Sequence, residues 1–388
     1  MALVPEQFPT QDSFEPQPMQ PEPETPAQPA LLRRIFFGPF GLRAGWGLLI
    51  YFAILASIIF SVRAVHHYNK ARAHETAVAA ARAAGKPEPA ASPKEDPNAP
   101  MNVAEAIQEE GVSFAVVLFA SLLMALIERR RFTAYGLGGQ RPIGRFFVGA
   151  IWGLAAVSLL VGTLRVFHLV SFDAQLDHGW TIARWGGAQL IGFLFVGLLE
   201  EYMFRGYLQF TLTRGLVGLA NLISRPHGRT IAFWMATVIT SGLFFLAHTG
   251  NTGEDKVGLL LVFLAGVAFV AALWRTGSLW WAIGFHMAWD WSQSFLYGVP
   301  DSGLLVQGRL FATHALGNPM LSGGTDGPEG SVFCIPILLL VIGVLFFFTK
   351  PGQQPRLESA LPMQMGREEH RSVVEGFEVT VLEAASGD

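Results

Sequence analysis

GGAQLIGFLFVGLLEEYMFRGYLQF, residues 186–210, is apolar enough to lie in lipid except at its middle, where Glu200, Glu201 and Arg205 interrupt it. A helix that crosses a bilayer needs about 20 such residues. A charge near the bilayer centre costs about 2.5 to 3.5 kcal/mol on insertion scales, so a span that keeps three ionisable groups keeps them for a reason. Seven more apolar runs flank this one, at Ala44 to Val62, Val112 to Ile127, Phe146 to Leu164, Ile231 to Ala247, Val257 to Trp274, Ser278 to Leu296 and Ser331 to Phe348. Together they predict an all-α, polytopic membrane protein of about eight transmembrane helices. Composition points the same way, with 51% hydrophobic and only 15% charged residues, against roughly 25% charged in soluble domains.

The rest of the chain divides around these spans. Residues 1–43 read as a Pro-rich disordered tail: the first 30 hold eight prolines and five acidic residues, too little apolar surface to fold alone. This stretch lacks the basic n-region and short apolar core of a secretory signal. The membrane domain covers 44–348 and contains one extramembrane insert, 63–110, rich in Ala, Glu, Lys and Pro and expected to be partly helical. Residues 349–388 form a C-terminal tail. A net charge of -3 and a pI near 6.4 leave no basic excess, so nucleic acid is not an expected partner. The single cysteine, Cys334, excludes an internal disulfide framework and a Cys-rich zinc cluster.

Lysine and arginine placement sets the expected orientation. With the N-terminus inside, the inner segments carry 16 of the 27 basic residues and the outer ones 10, six of these in the 63–110 insert. Arg129, Arg130, Arg131, Arg141 and Arg145, crowded into one short loop, dominate the count. An integral protein of the plasma or inner membrane with both termini cytoplasmic is expected.

Ionisable groups within the spans or at their immediate ends are few: Glu200, Glu201 and Arg205 in the fourth, His248 at the end of the fifth, His286 and Asp290 in the seventh. Glu201 and Arg205 stand at i and i+4, on one helix face, and can form an ion pair that offsets part of the insertion cost. Glu200 is turned about 100° from Glu201, free to meet a different partner. His286 and Asp290 share a face by the same i, i+4 relation. Each feature also has a plain structural explanation: a Glu/Arg pair can glue helices together, an interfacial histidine can snorkel, and a core histidine can simply bond an aspartate. Their joint occurrence on three helices is what suggests hydrolytic chemistry. Measured from the inner ends of the apolar runs, Glu200 falls at about 15 Å, His286 at about 12 Å and Asp290 at about 18 Å, with His248 apart at about 26 Å.

At these residues the chain resembles the CPBP family, membrane proteases that include the type II CAAX prenyl endopeptidases and bacteriocin-processing or immunity proteins. The family's motifs are Glu-Glu-x-x-x-Arg, Phe-x-x-x-His and His-x-x-x-Asn or Asp. Here they read Glu200-Glu201-Tyr-Met-Phe-Arg205, Phe244-Phe-Leu-Ala-His248 and His286-Met-Ala-Trp-Asp290, in the same order. The resemblance covers about 186–296, read as a protease core. The prenyl endopeptidases themselves carry Asn where this chain has Asp290, which loosens the link to a prenylated substrate more than the link to the chemistry.

The resemblance implies an endopeptidase that cleaves a membrane-tethered peptide or protein by a water that Glu200 activates as general base. His248 would hold that water, and His286 with Asp290 would stabilise the oxyanion. Glu201 and Arg205 would support them. Asp290 cannot donate while ionised, so it must be protonated or must orient His286. Zinc held by His248, His286 and Glu200 is an equally open alternative to metal-free chemistry, since these are usual ligand types and no His-Glu-x-x-His is present to decide. The reading from another class is a transporter or interaction scaffold whose buried Glu and His groups relay protons or bind a partner; paired broken helices in two related halves, as transporters with inverted repeats have, are not visible.

Overall fold

Lipid offers no hydrogen-bond partner to an open backbone, so apolar runs of this length are stable within it only as helices or closed barrels. The computed structural model describes residues 35–38, 41–85, 87, 100–251 and 253–349. All eight apolar runs are helical. We number the helices α1 (Ala44–Ala83), α2 (Val103–Ile127), α3 (Pro142–Val166), α4 (Trp180–Glu200), α5 (Gln209–Ile223), α6 (Gly228–His248), α7 (Lys256–Thr276), α8 (Trp280–Trp291) and α9 (Cys334–Phe348). A π-helical segment, Glu201–Leu208, joins α4 to α5 in one continuous rod, and another, Ser292–Tyr297, extends α8.

Six helices among the described residues are long and apolar enough to cross a membrane: α1, α2, α3, the α4–α5 rod, α6 and α7. The chain is a multi-pass integral membrane protein. The other two apolar runs give shorter helices, α8 of 12 residues and α9 of 15. Side chains of α8 from Trp281 to Asp290 are buried, so protein rather than lipid surrounds this helix and it tolerates the polar groups it carries. Lipid-facing sides show instead in exposed Ile151, Leu159, Val238, Leu260 and Leu339.

Residues 1–34 of the expected N-terminal tail and 350–388 of the C-terminal tail lie outside the described residues. The insert is helical at both ends. Helix α1 runs on past Val62 to Ala83, and α2 starts at Val103, where Asn102 accepts from the backbone N–H of Ala104 and Glu105. Residues 88–99 between them are outside the described set.

Small residues set how the helices meet. A Cβ on Gly149 would fall 2.0 Å from the Trp281 carbonyl oxygen, one on Gly153 2.3 Å from that of Phe285, and one on Gly284 2.0 Å from that of Phe146. Glycine at all three positions lets the α3 and α8 backbones touch, as in other tightly packed membrane helices. At one end of the bundle, Glu128 accepts from Arg130 at 2.8 Å and faces Arg214 at 3.2 Å, a buried triad linking the end of α2 to α5. At the other, β3 (Val170–Gln175) pairs antiparallel with β4 (Phe311–Ala315). A smaller antiparallel pair, β1 (Phe37–Gly38) and β2 (Gly41–Leu42), precedes α1. Neither sheet is closed, and the fold is all-α in substance.

Candidate active site

Helix α4 ends on Glu200 and the wider π winding starts at Glu201. Single π turns inside α-helices are rare and often accompany functional groups. Glu201 and Arg205 form the ion pair their spacing predicts, Nη1 to Oε1 at 3.0 Å, with both side chains almost fully buried. The guanidinium lies 4.0 Å from the centre of the Phe244 ring and 5.0 Å from that of Phe269, an aromatic cage that suits a desolvated cation. Gly266 on α7 leaves room for it: a Cβ there would stand 3.2 Å from Nη2 of Arg205 and 2.9 Å from Oγ of Ser241.

The two glutamates meet the same imidazole. His286 Nδ1 donates to Glu201 Oε1 at 3.0 Å, while Nε2 stands 3.5 Å from Glu200 Oε2 and 3.6 Å from Asp290 Oδ2. The sequence paired Glu201 with Arg205 as support for the site and gave the orienting of His286 to Asp290. In the structure Glu201 does both, because its Oε1 lies between the guanidinium and the ring. The ring also stacks on Phe269, with centroids 4.8 Å apart and planes at 22°. With Nδ1–H committed to Glu201, a proton on Nε2 is the donor that both facing carboxylates need. The second oxygens, Glu200 Oε2 and Glu201 Oε2, are buried and accept no hydrogen bond among the described residues.

On α6, His248 Nδ1 donates to the Phe244 carbonyl at 2.9 Å. That bond fixes the tautomer in which Nε2 of the neutral ring is an open acceptor. Glu200, His248, His286 and Asp290 all line one cleft of about 230 Å³, and the last three also line an adjoining void of about 50 Å³. The depth assigned to His248 from its apolar run is therefore corrected: it does not stand apart from the other three. Glu200 is 23 residues, about 35 Å, from the end of its rod at Ile223, well beyond Phe210, and His248 is 20 residues, about 30 Å, from the start of α6. The turn that starts α8 is itself buried at Thr276 and Ser278, which lifts His286 from the bundle end.

Helix α2 supplies a cleft residue that the sequence reading put in the insert, Glu110. The signal was present: Asn102 followed three residues later by Glu105 is a helix start, and it sets α2 running nine residues earlier than its apolar run. Asp301 and Ser302, on the loop after α8, also line the cleft, and nothing in their local sequence marks them. Glu329 braces that loop, accepting from Ser302 Oγ at 2.9 Å, Trp289 Nε1 at 3.0 Å and Gln293 Nε2 at 3.1 Å.

Among the described residues, no three His, Cys, Asp or Glu side chains stand where they could hold a metal ion. His286 has Nδ1 bonded to Glu201 and His248 has Nδ1 bonded to a backbone carbonyl, which leaves Nε2 of each ring open, but His248, His286 and Glu200 are not gathered into a three-ligand set as placed. Cys334, buried on α9, borders the smaller void and does not line the larger cleft.

Residues 182–292 match the family model described as type II CAAX prenyl endopeptidase Rce1-like. No curated protein and no solved structure matches the chain.

Proposed function

This chain carries a CPBP-family domain over residues 182–292, and on that premise we propose that it is an intramembrane endopeptidase hydrolysing a peptide bond of a membrane-associated protein or peptide. The observation that carries the reading is the Glu200 carboxylate: its Oε2 is buried, accepts no hydrogen bond among the described residues, and stands 3.5 Å from His286 Nε2, and Glu200 lines a cleft shared with His248.

A water between Glu200 Oε2 and His248 Nε2 gives its proton to Glu200 as its oxygen attacks the scissile carbonyl carbon. The carbonyl π pair becomes an oxyanion that the Nε2–H of His286 stabilises. Collapse breaks the C–N bond, and the leaving amine takes the proton back from Glu200. A positioned general base contributes about 100 to 10,000-fold, and one oxyanion donor about 100 to 1,000-fold. Glu201 and Arg205 keep His286 in one tautomer and orientation, and Asp290 favours the proton on Nε2. No step runs through a metal.

Purified protein in lipid nanodiscs is expected to cleave a membrane-tethered peptide, and Glu200→Gln to lower the rate by at least about 100-fold with the fold intact by circular dichroism. Full turnover by Glu200→Gln would end the assignment, and so would loss of activity on exhaustive chelation that added zinc restores. Both termini face the cytoplasm of a plasma or inner membrane in this reading, on the arginines of the 129–145 loop; reporters fused at either end test it.

A further inference from the structure

The cleft has two unlike sides. Val103, Ala106 and Ile107 of α2 with Phe193 and Val196 of α4 line it with hydrocarbon, whereas Glu110, Glu200, Asp290 and Asp301 bring four carboxylates and neither lysine nor arginine lines it. Catalysis as proposed uses Glu200 and Asp290. It leaves Glu110 and Asp301 without a task.

Glu200 and Asp290 face the His286 ring at 3.5 and 3.6 Å, whereas Glu110 and Asp301 have no cation of the chain paired with them among the described residues. Glu110, half-buried, has no hydrogen bond or ion pair among the described residues. Asp301 accepts from the neutral amide of Gln293 at 2.8 Å. Asp290, its side chain 7% exposed, faces His286 Nε2 at 3.6 Å. Partly desolvated carboxylates without a counter-charge are costly, and a cation that arrives with a ligand removes that cost only when it is bound. Complementary charge of this kind sets specificity, and like charge rejects the wrong ligand.

Resting on the endopeptidase reading, we propose that the cleft takes a peptide segment with a lysine or arginine side chain beside a run of apolar residues, with Glu110 and Asp301 as the specificity-determining residues. The apolar run lies against α2 and α4.

The test compares tethered peptides of one apolar sequence differing at a single position, Lys, Gln or Glu. Cleavage is measured with the full-length protein, and binding of the same fluorescent peptides with the Glu200→Gln variant. The Lys peptide is expected to exceed the Gln peptide by about tenfold in both assays, with the Glu peptide last. Glu110→Gln and Asp301→Asn should each pull the Lys-to-Gln ratio towards one, and Glu110→Lys should favour the Glu peptide, an inversion that misfolding does not produce. Equal cleavage and binding of all three peptides would overturn the specificity while leaving the peptidase standing. Lys-selective binding without cleavage would uphold the specificity and remove the peptidase. Binding without preference and no cleavage would remove both.

Discussion

One imidazole, His286, is held by a hydrogen bond at Nδ1, by the Phe269 ring beneath it and by two carboxylates at Nε2. Its orientation depends on Glu201, whose charge is in turn balanced by Arg205. Removing one partner of a buried ion pair strands the other and costs about 3 to 5 kcal/mol, whereas replacing both with apolar groups is often close to neutral. Arg205→Met is therefore expected to lower the unfolding temperature in detergent sharply, and Glu201→Met with Arg205→Met to recover most of the loss. Activity should stay absent in the double variant, because His286 Nδ1 has lost its acceptor. A double variant that regains both stability and cleavage would show that Glu201 serves only the arginine.

Between elements, the decisive contact is the glycine seam of α3 and α8. Gly284→Ala would drive a methyl carbon to within 2.0 Å of the Phe146 carbonyl oxygen, and neither backbone can yield without separating the helices. Overpacking of this kind costs about 1 to 3 kcal/mol or more. Separation would also carry His286 and Asp290 away from Glu200, so kcat is expected to fall with stability. Gly162→Ala on the same α3 is the control: a Cβ there meets nothing within 4 Å, and alanine gains roughly 0.5 to 1 kcal/mol over glycine within a helix. Equal melting temperatures for the two variants would refute the seam.

Taken whole, the molecule concentrates acidic groups in the loops at the cleft end of the bundle. Burial, then the charges of Glu329 and Asp326, pushes the Glu254 carboxyl up to about 8. Burial, then Asp255, pushes Asp326 up to about 7. Asp301 is raised as well, first by burial and then by Glu329 and Glu200. A carboxyl raised by folding binds its proton more tightly in the folded state, so its contribution to stability is complete below its ordinary value near 4 and is lost as pH rises through 7 to 8. Melting temperatures of Glu254→Gln and Asp326→Asn, referred to the unmodified protein, should therefore climb between pH 5 and pH 9. A difference that is flat or falls over that range would show that these loops do not bury their acids.

The apolar runs, the Glu-Glu-x-x-x-Arg spacing and the histidines within the spans are properties of neighbours along the chain. They determined the membrane class, the helices and the candidate site residues, because helical periodicity and the cost of charge in lipid act locally. Which residues share a cleft was decided by packing. Glu201 reaches His286 only because glycine seats α8 against α3 and Gly197, facing α8, has no side chain to hold α4 away. His248 joins the cleft because the rod bearing Glu200 extends to Ile223. Glu110, Asp301 and Glu329 come from segments far apart in the sequence, and no local pattern can encode a meeting that depends on how several helices dock at once.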